Sequence, residues 1–317
     1  MRLVKLVPDG TNIPFLKWRN IAFAVSVLMI LGSIALVAVR GLNFGVDFAG
    51  GLMIEARFDK PVPLDDLRDV VNAVGAGEGS LQNFGGADTV SIRLPLPSGD
   101  EEAVQKVVTK VQAGIAKAYP GVEFRRVETV SGKVSGELVR DGALAILFAM
   151  IGISIYIWFR FEWQFGVGAL FALVHDVALT LGFFALTQLE FNLNIVAAVL
   201  TIVGYSLNDT IVVYDRIREN LRKYRKMDII PLLDLSINET LSRTIVTSLS
   251  MIIALGTLVI FGGDVLFGFS VAMLLGIVIG TYSSVFIGAS ILVWLGVGPH
   301  SFVAAEAPGN RAERIAP

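Results

Sequence analysis

The sequence predicts a polytopic α-helical membrane protein with six transmembrane helices and one extracytoplasmic ferredoxin-like βαββαβ domain between helices 1 and 2. Three observations carry this. Apolar residues make up 54% of the 317 residues and the mean hydropathy is +0.68, far above a soluble average. The apolar residues gather into runs close to the length that crosses a bilayer as a helix. Between the first and second runs lies a polar block with strand and helix periodicities. The formal net charge of -2 says little, because the charges are segregated along the chain.

Residues 1–19 form a basic head with Arg2, Lys5, Lys17 and Arg19, followed by an apolar run at 20–39. That run exceeds the 7–15 residues typical of a signal-peptide core and favours an uncleaved first span over a cleaved leader. Gly41 to Gly51 then crowd glycine around Asn43, Asp47 and Phe48, which marks a bent or closely approached backbone. The stretch is either a flexible exit or a collar that fixes the first helix to the next domain, and Asp47 between two apolar neighbours favours the collar.

Residues 40–139 form the external domain. Leu52–Phe58 alternates as a strand, and Leu64–Val74 is an amphipathic helix with Asp65 and Asp66 in its first turn. Ser80–Phe84 is a weak strand, 85–88 a turn and Thr89–Leu94 a strand. Asp100 is placed to cap a helix to Tyr119 whose Val104, Val107, Val108, Val111 and Ile115 make one stripe. Val122–Val130 is the last strand, and the order is that of the split βαβ arrangement. Its carboxylates lie on helix starts and surfaces, with no catalytic constellation.

Residues 131–138 read as a link back to the membrane, and 140–296 hold spans at about 140–159, 164–187, 191–214, 245–262 and 267–290. The polar stretch 215–243 reads as a cytosolic loop whose residues 228–243 suit a helix lying in the interface. The tail, 297–317, is rich in Ala, Pro and Arg and reads as disordered. Basic residues set orientation. The head, Arg160 and the run Arg216, Arg218, Arg222, Lys223, Arg225 and Lys226 fall on one side of a six-span chain. That side is cytosolic, with both termini, and the 40–139 domain lies outside. The polybasic run could also bind anionic membrane lipids, although setting topology is sufficient reason for it.

Function classes close quickly. With no cysteine, thiol catalysis and disulfides are excluded, and no HExxH, GxxxxGK[ST] or GxGxxG pattern occurs. No metal, cofactor or enzymatic activity is expected. Ionisable groups inside the membrane runs are the informative residues, because a carboxylate in hydrocarbon costs roughly 3 kcal/mol on insertion scales. Asp209 lies within the fourth span, with Tyr205 on its face and Ser206, Asn208 and Thr210 around it. Arg243 opens the fifth span, followed by Thr244, Thr247, Ser248 and Ser250. Antiparallel fourth and fifth spans would bring Arg243 to Asp209, either as a structural ion pair or as a proton-coupling site. His175 and Asp176 sit mid-way along the third span. Adjacent helical residues point about 100° apart, so at least one is expected to be buried in helix packing, whether for hydrogen bonding or for function.

Four of these stretches resemble the SecD/SecF protein-export membrane proteins of the RND superfamily. They are Gly45-Val46-Asp47-Phe48-Ala49-Gly50-Gly51, His175-Asp176-Val177, Gly204-Tyr205-Ser206-Leu207-Asn208-Asp209-Thr210, and Ser236 to Thr244. One modest external domain and a single six-span set fit the SecF branch. The resemblance implies a heteromer with SecD, association with SecYEG and YajC in the cell inner membrane, and unfolded preprotein as substrate. It also implies no nucleic-acid partner and use of the proton-motive force to finish export. The family residues implicated in proton passage fall on Asp209 and Arg243. The alternatives are a proton-coupled RND-type transporter of small molecules or lipids, and a scaffold for SecD.

Overall fold

The structure is a computed structural model and describes residues 7–298 other than 9, 76, 78, 85 and 98–100. Arg2, Lys5, Asp100 as a helix cap, His300 and the 299–317 tail lie outside the described residues.

Six helices among the described residues are long and apolar enough to cross a membrane. A 3-10 turn, Phe15–Trp18, leads into α1 (Arg19–Arg40). A single helical turn, α2 (Val46–Ala49), follows, then β1 (Gly51–Arg57), α3 (Leu64–Ala73), β2 (Ser80–Phe84), β3 (Gly86–Leu94), α4 (Glu101–Ala118) and β4 (Glu123–Val130). The remaining spans are α5 (Gly132–Arg160), α6 (Trp163–Thr187), α7 (Leu193–Lys223), α8 (Ile229–Phe261) and α9 (Gly263–Tyr282). A π-helical segment, Ser283–Gly288, and α10 (Ala289–Trp294) continue α9.

The strands form one sheet in the order β2-β3-β1-β4, with every neighbour antiparallel. Alternation puts Leu52, Ile54 and Ala56 of β1 beside Leu94, Ile92 and Val90 of β3 on one face. Leu67 and Val71 of α3 and Val108, Val111 and Ile115 of α4 cover that face. On the other face Arg93 donates to the Phe44 carbonyl at 2.6 Å and pairs with Glu190 at 3.1 Å. Asn43 donates to Gln82 and to the Gln188 carbonyl, both at 2.8 Å. The sheet is thus tied to the turn that joins α6 and α7.

Several helix limits differ from the expected ones. Residues 132–138, read as a link, are the first two turns of α5, begun by Ser131, whose Oγ accepts from the Val134 amide. The expected loop at 215–243 is helical except for 224–228. α7 carries its helix past the apolar run to Lys223, and the separate interfacial helix at 228–243 is the start of one continuous α8. No glycine or proline interrupts 205–223 or 232–255. Pro231 sits in the first turn of α8, where its missing N–H is harmless. Hydropathy marks where a helix stops being apolar, not where it stops being a helix. Residues 86–88, read as a turn, belong to β3.

Small residues set the helix spacing. Gly268, Ala272, Gly276 and Gly280 recur every fourth residue on α9. A Cβ on Gly276 would meet Ile202 Cγ1 at 2.3 Å, and one on Gly280 would meet Ser206 Cβ at 3.0 Å. This is the small-xxx-small spacing by which helices approach in lipid. Where α6 meets α1, a Cβ on Gly182 would lie 2.8 Å from the Ser33 Cα. A Gly182→Ala substitution is therefore expected to push α1 off α6 at a cost of about 1–3 kcal/mol. A thermal-unfolding series in detergent should show a lowered midpoint, whereas Gly32→Ala, with open space around it, should leave it unchanged.

Candidate functional site

Asp209 lies in α7, about 24 Å along the helix from Leu193 at the helical rise. It is half-buried. Its Oδ1 accepts a hydrogen bond from Thr244 Oγ1 of α8 at 2.8 Å, and its Oδ2 is buried with no partner. The expected contact with Arg243 is not formed. Arg243 precedes Thr244 by one residue and so points about 100° away. Thr244 is 1% exposed while Arg243 is exposed. The hydroxyl takes the position foreseen for the guanidinium, and one carboxylate oxygen is left without a proton donor. One turn toward the N-terminus of α7, Tyr205 comes within 3.5 Å of Ser248 Oγ, which hydrogen-bonds Thr281 of α9 at 2.8 Å.

The opposite side of α7 holds a second polar cluster. His175 and Asp176 of α6 are both 0% exposed. His175 Nδ1 and Asp176 Oδ1 are 2.9 Å apart, and Ser206 of α7 and Ser283 of the π segment both donate to Asp176 Oδ2. Thr210 Oγ1 is 2.8 Å from Ser284 Oγ. The π segment falls at this crossing, as single π turns often do at functional positions. Asn208 is exposed and joins neither cluster. Sequence reasoning does not single out Tyr282, Ser283 or Ser284. The one signal is four successive hydroxyl residues, Thr281 to Ser284, inside an apolar run.

Gly45 to Gly51 fold as a collar. The Gly45 amide donates to the Phe191 carbonyl at 2.9 Å, and the Phe191 amide to the Asn43 carbonyl at 2.7 Å. Asp47 Oδ2 accepts from the Leu193 amide at 3.0 Å, satisfying a free N–H at the start of α7. Phe48 packs with Phe44 and Phe191. Gly50 and Gly51 have φ of 70° and 112°, and a Cβ on Gly51 would strike the Leu94 carbonyl at 2.7 Å. Asp47 and Asp209 thus act on one helix from its N-terminal end and its middle. At the other end of α7, Arg216 and Asn220 both donate to Glu239 of α8 at 2.7 Å. Among the described residues no group of three or more acidic or histidine side chains could hold a metal ion.

A six-helix bundle with carboxylates paired to hydroxyls inside it, under a sheet tied down by a glycine-rich collar, defines a membrane-embedded protein with a polar interior. Residues 110–298 match the protein export membrane protein SecD/SecF C-terminal family, and residues 35–62 match the SecD/SecF GG motif. The chain belongs to the SecD/SecF family. It is 46% identical over 290 residues to the protein translocase subunit SecF of Rickettsia felis, covering 91% of this chain and 94% of that one. The SecF subunit of Rickettsia rickettsii is 45% identical at the same coverage. The crystal structure of SecDF, a translocon-associated membrane protein from Thermus thermophilus, superposes with a TM-score of 0.82 at 33% identity over 90% of this chain. A SecDF crystal structure in a super-membrane-facing form gives 0.67 at 32% identity over 93%. This chain spans about two-fifths of each, 39% and 40%.

Thr244→Val should leave both oxygens of Asp209 without a donor and destabilise the protein by about 1–3 kcal/mol. Thr244→Ser should recover most of that loss in the same thermal assay. Equal stability of the Val and Ser forms would mean the hydroxyl is not a working partner.

Proposed function

We propose that this chain is the SecF subunit of the Sec translocase accessory complex and uses the proton-motive force to promote late stages of preprotein translocation. In this reading it is a coupling device and not an enzyme. It pairs with SecD, works beside SecYEG and YajC in the cell inner membrane, and acts on unfolded preprotein. The sheet unit is then a ferredoxin-like domain outside the membrane, and both termini are cytosolic. The strand order β2-β3-β1-β4 with helices on one face supports the first statement. The basic residues Arg160, Arg216, Arg218, Arg222 and Lys223 at one end of the bundle support the second.

The observation that carries the coupling is Asp209 Oδ2, buried and unpaired in mid-span. A carboxylate so placed is poorly compensated as an anion, and a proton relieves it. Each proton crossing about 100 mV delivers roughly 2.3 kcal/mol, enough to shift a two-state equilibrium about fifty-fold. Arg243, exposed and next to Thr244 in sequence, belongs to the same coupling in this reading. It reaches Asp209 only when α8 turns.

Asp209→Asn tests this in vesicles carrying the complete complex with SecD. The amide keeps the Thr244 bond and cannot carry the charge. Normal assembly with proton-dependent export lowered at least ten-fold is expected. Export at the parental rate would sink the proton role, and loss of assembly would favour a scaffold. Accumulation of a small solute in place of precursor would favour a transporter.

A further inference from the structure

We propose that His175 Nε2 is a second proton-binding site, separate from Asp209, which takes up one proton and converts a negatively charged buried cluster into a neutral one. Neither the family match nor the export reading is needed for this. It rests on the way Asp176 is surrounded.

Both oxygens of Asp176 have polar partners. Ser206 and Ser283 hydroxyls serve Oδ2, and His175 Nδ1 faces Oδ1 at 2.9 Å. With the imidazole neutral and its proton on Nδ1, the carboxylate is satisfied, but the His175–Asp176 unit carries one negative charge at 0% exposure. His175 Nε2 is then a bare acceptor, and no donor reaches it. With a proton added at Nε2, the unit is electrically neutral, but Nε2 carries an N–H with no acceptor. Each state therefore bears one cost, an uncompensated charge or an unpaired polar atom. The hydroxyl donors to Asp176 offset part of the cost of its charge, so each state keeps a penalty that the other relieves and the group is not locked in one of them. The step is simple: the Nε2 lone pair binds a proton from water and no other bond breaks. The proton between Nδ1 and Oδ1 can lie on either atom without changing the total.

No neighbouring element supplies a charge that would fix one state. α1 has no charged residue between Arg19 and Arg40, and α5 has none between Asp141 and Arg160. On α7 the nearest ionisable groups are Tyr205 and Asp209, which face Ser248 and Thr244 of α8. α9 carries Asp264 at its opposite end and Tyr282, whose ring centre is 6.0 Å from that of His175. The Tyr282 hydroxyl is engaged with Ser26 at 3.0 Å and the Ala22 carbonyl at 2.9 Å. The π segment and α10 have no ionisable residue. The pair thus sits where α6, α7 and the π segment meet, with its charge state set by its own proton count.

The composition makes the test direct, because the chain has only two histidines. His300→Gln in the tail leaves His175 as the single imidazole. The full chain with nitrogen-15 histidine, in liposomes, is followed by solid-state NMR from about pH 9 to about pH 5. Nε2 is expected to change from bare to protonated in a single one-proton step. Nε2 in one unchanged state across the range would overturn the proposal. In Asp176→Asn the cluster is already neutral without the added proton, so Nε2 should stay bare over the same range. A folded Asp176→Asn form that titrates like the parent would remove the proposed cause. If that form does not fold, the parental titration decides alone.

Discussion

The close approach of α7 to α9 is the constraint on which the rest of the bundle depends. In lipid, apolar side chains gain little by leaving one hydrocarbon surface for another, so helices associate through close packing and hydrogen bonds. Gly268, Gly276 and Gly280 lack the side chains that would hold the backbones apart. The same approach brings Ser206 and Thr210 to Ser283, Ser284 and Asp176. A Cβ on Gly280 would press on Ser206 and lift its hydroxyl from the carboxylate. Packing and polar satisfaction are one interface here, and neither can be altered without the other.

α7 is consequently a fixed column with distinct partners along its length. Asp47 of the collar and Asn192, which accepts from the amides of Asn194 and Ile195, hold its N-terminal end. Its middle faces the Asp176 cluster on one side and Thr244 on the other. Its last turns are held by Glu239, which binds both Arg216 and Asn220, while Asn220 also donates to Ser236. The collar therefore serves more than an exit from α1. By pairing with Phe191 and receiving Arg93, it joins the sheet to the same column that carries Asp209.

Much of this was legible in the sequence. The six apolar runs are spans, and the period-2 and period-3.6 patterns of 51–130 are the observed strands and helices because each has one buried face. Helix ends inside the polar region were not legible, since 205–223 and 229–243 keep helical geometry without apolar character. The isolated ionisable residues Asp209, His175 and Asp176 announced themselves by the cost of placing them in hydrocarbon. Their partners did not. Ser and Thr are tolerated in apolar helices because a hydroxyl can bond back to its own helix, as Thr180 does to the Asp176 carbonyl. Nothing in the chain distinguishes Ser283, which reaches across to Asp176, from Ser154, which bonds to Met150 in its own helix. That Thr244 and not Arg243 contacts Asp209 was hidden for a related reason: charge complementarity names residue types, while helical phase decides which of two neighbours faces the carboxylate.

The position of Thr244 along α8 bears on how a change at Asp209 could travel. The first half of α8 is anchored, with Leu232, Leu233, Ile237 and Leu241 buried against Phe15, Leu16, Ile217 and Leu221. The segment before α1 is bound there too, through Leu16 to Asp234 and Ile13 to Asn238. Beyond Thr244 the buried residues thin to Ser248 and Leu255, and Val246, Ile253, Ile260 and Phe261 face outward. The Asp209–Thr244 bond therefore lies where α8 passes from its anchored half to its lightly packed half. An element with few buried contacts moves at lower cost than one embedded in a core. In the coupling proposed above, with α7 held at both ends, a change in the charge of Asp209 would therefore act on the C-terminal half of α8 and not on its anchored turns.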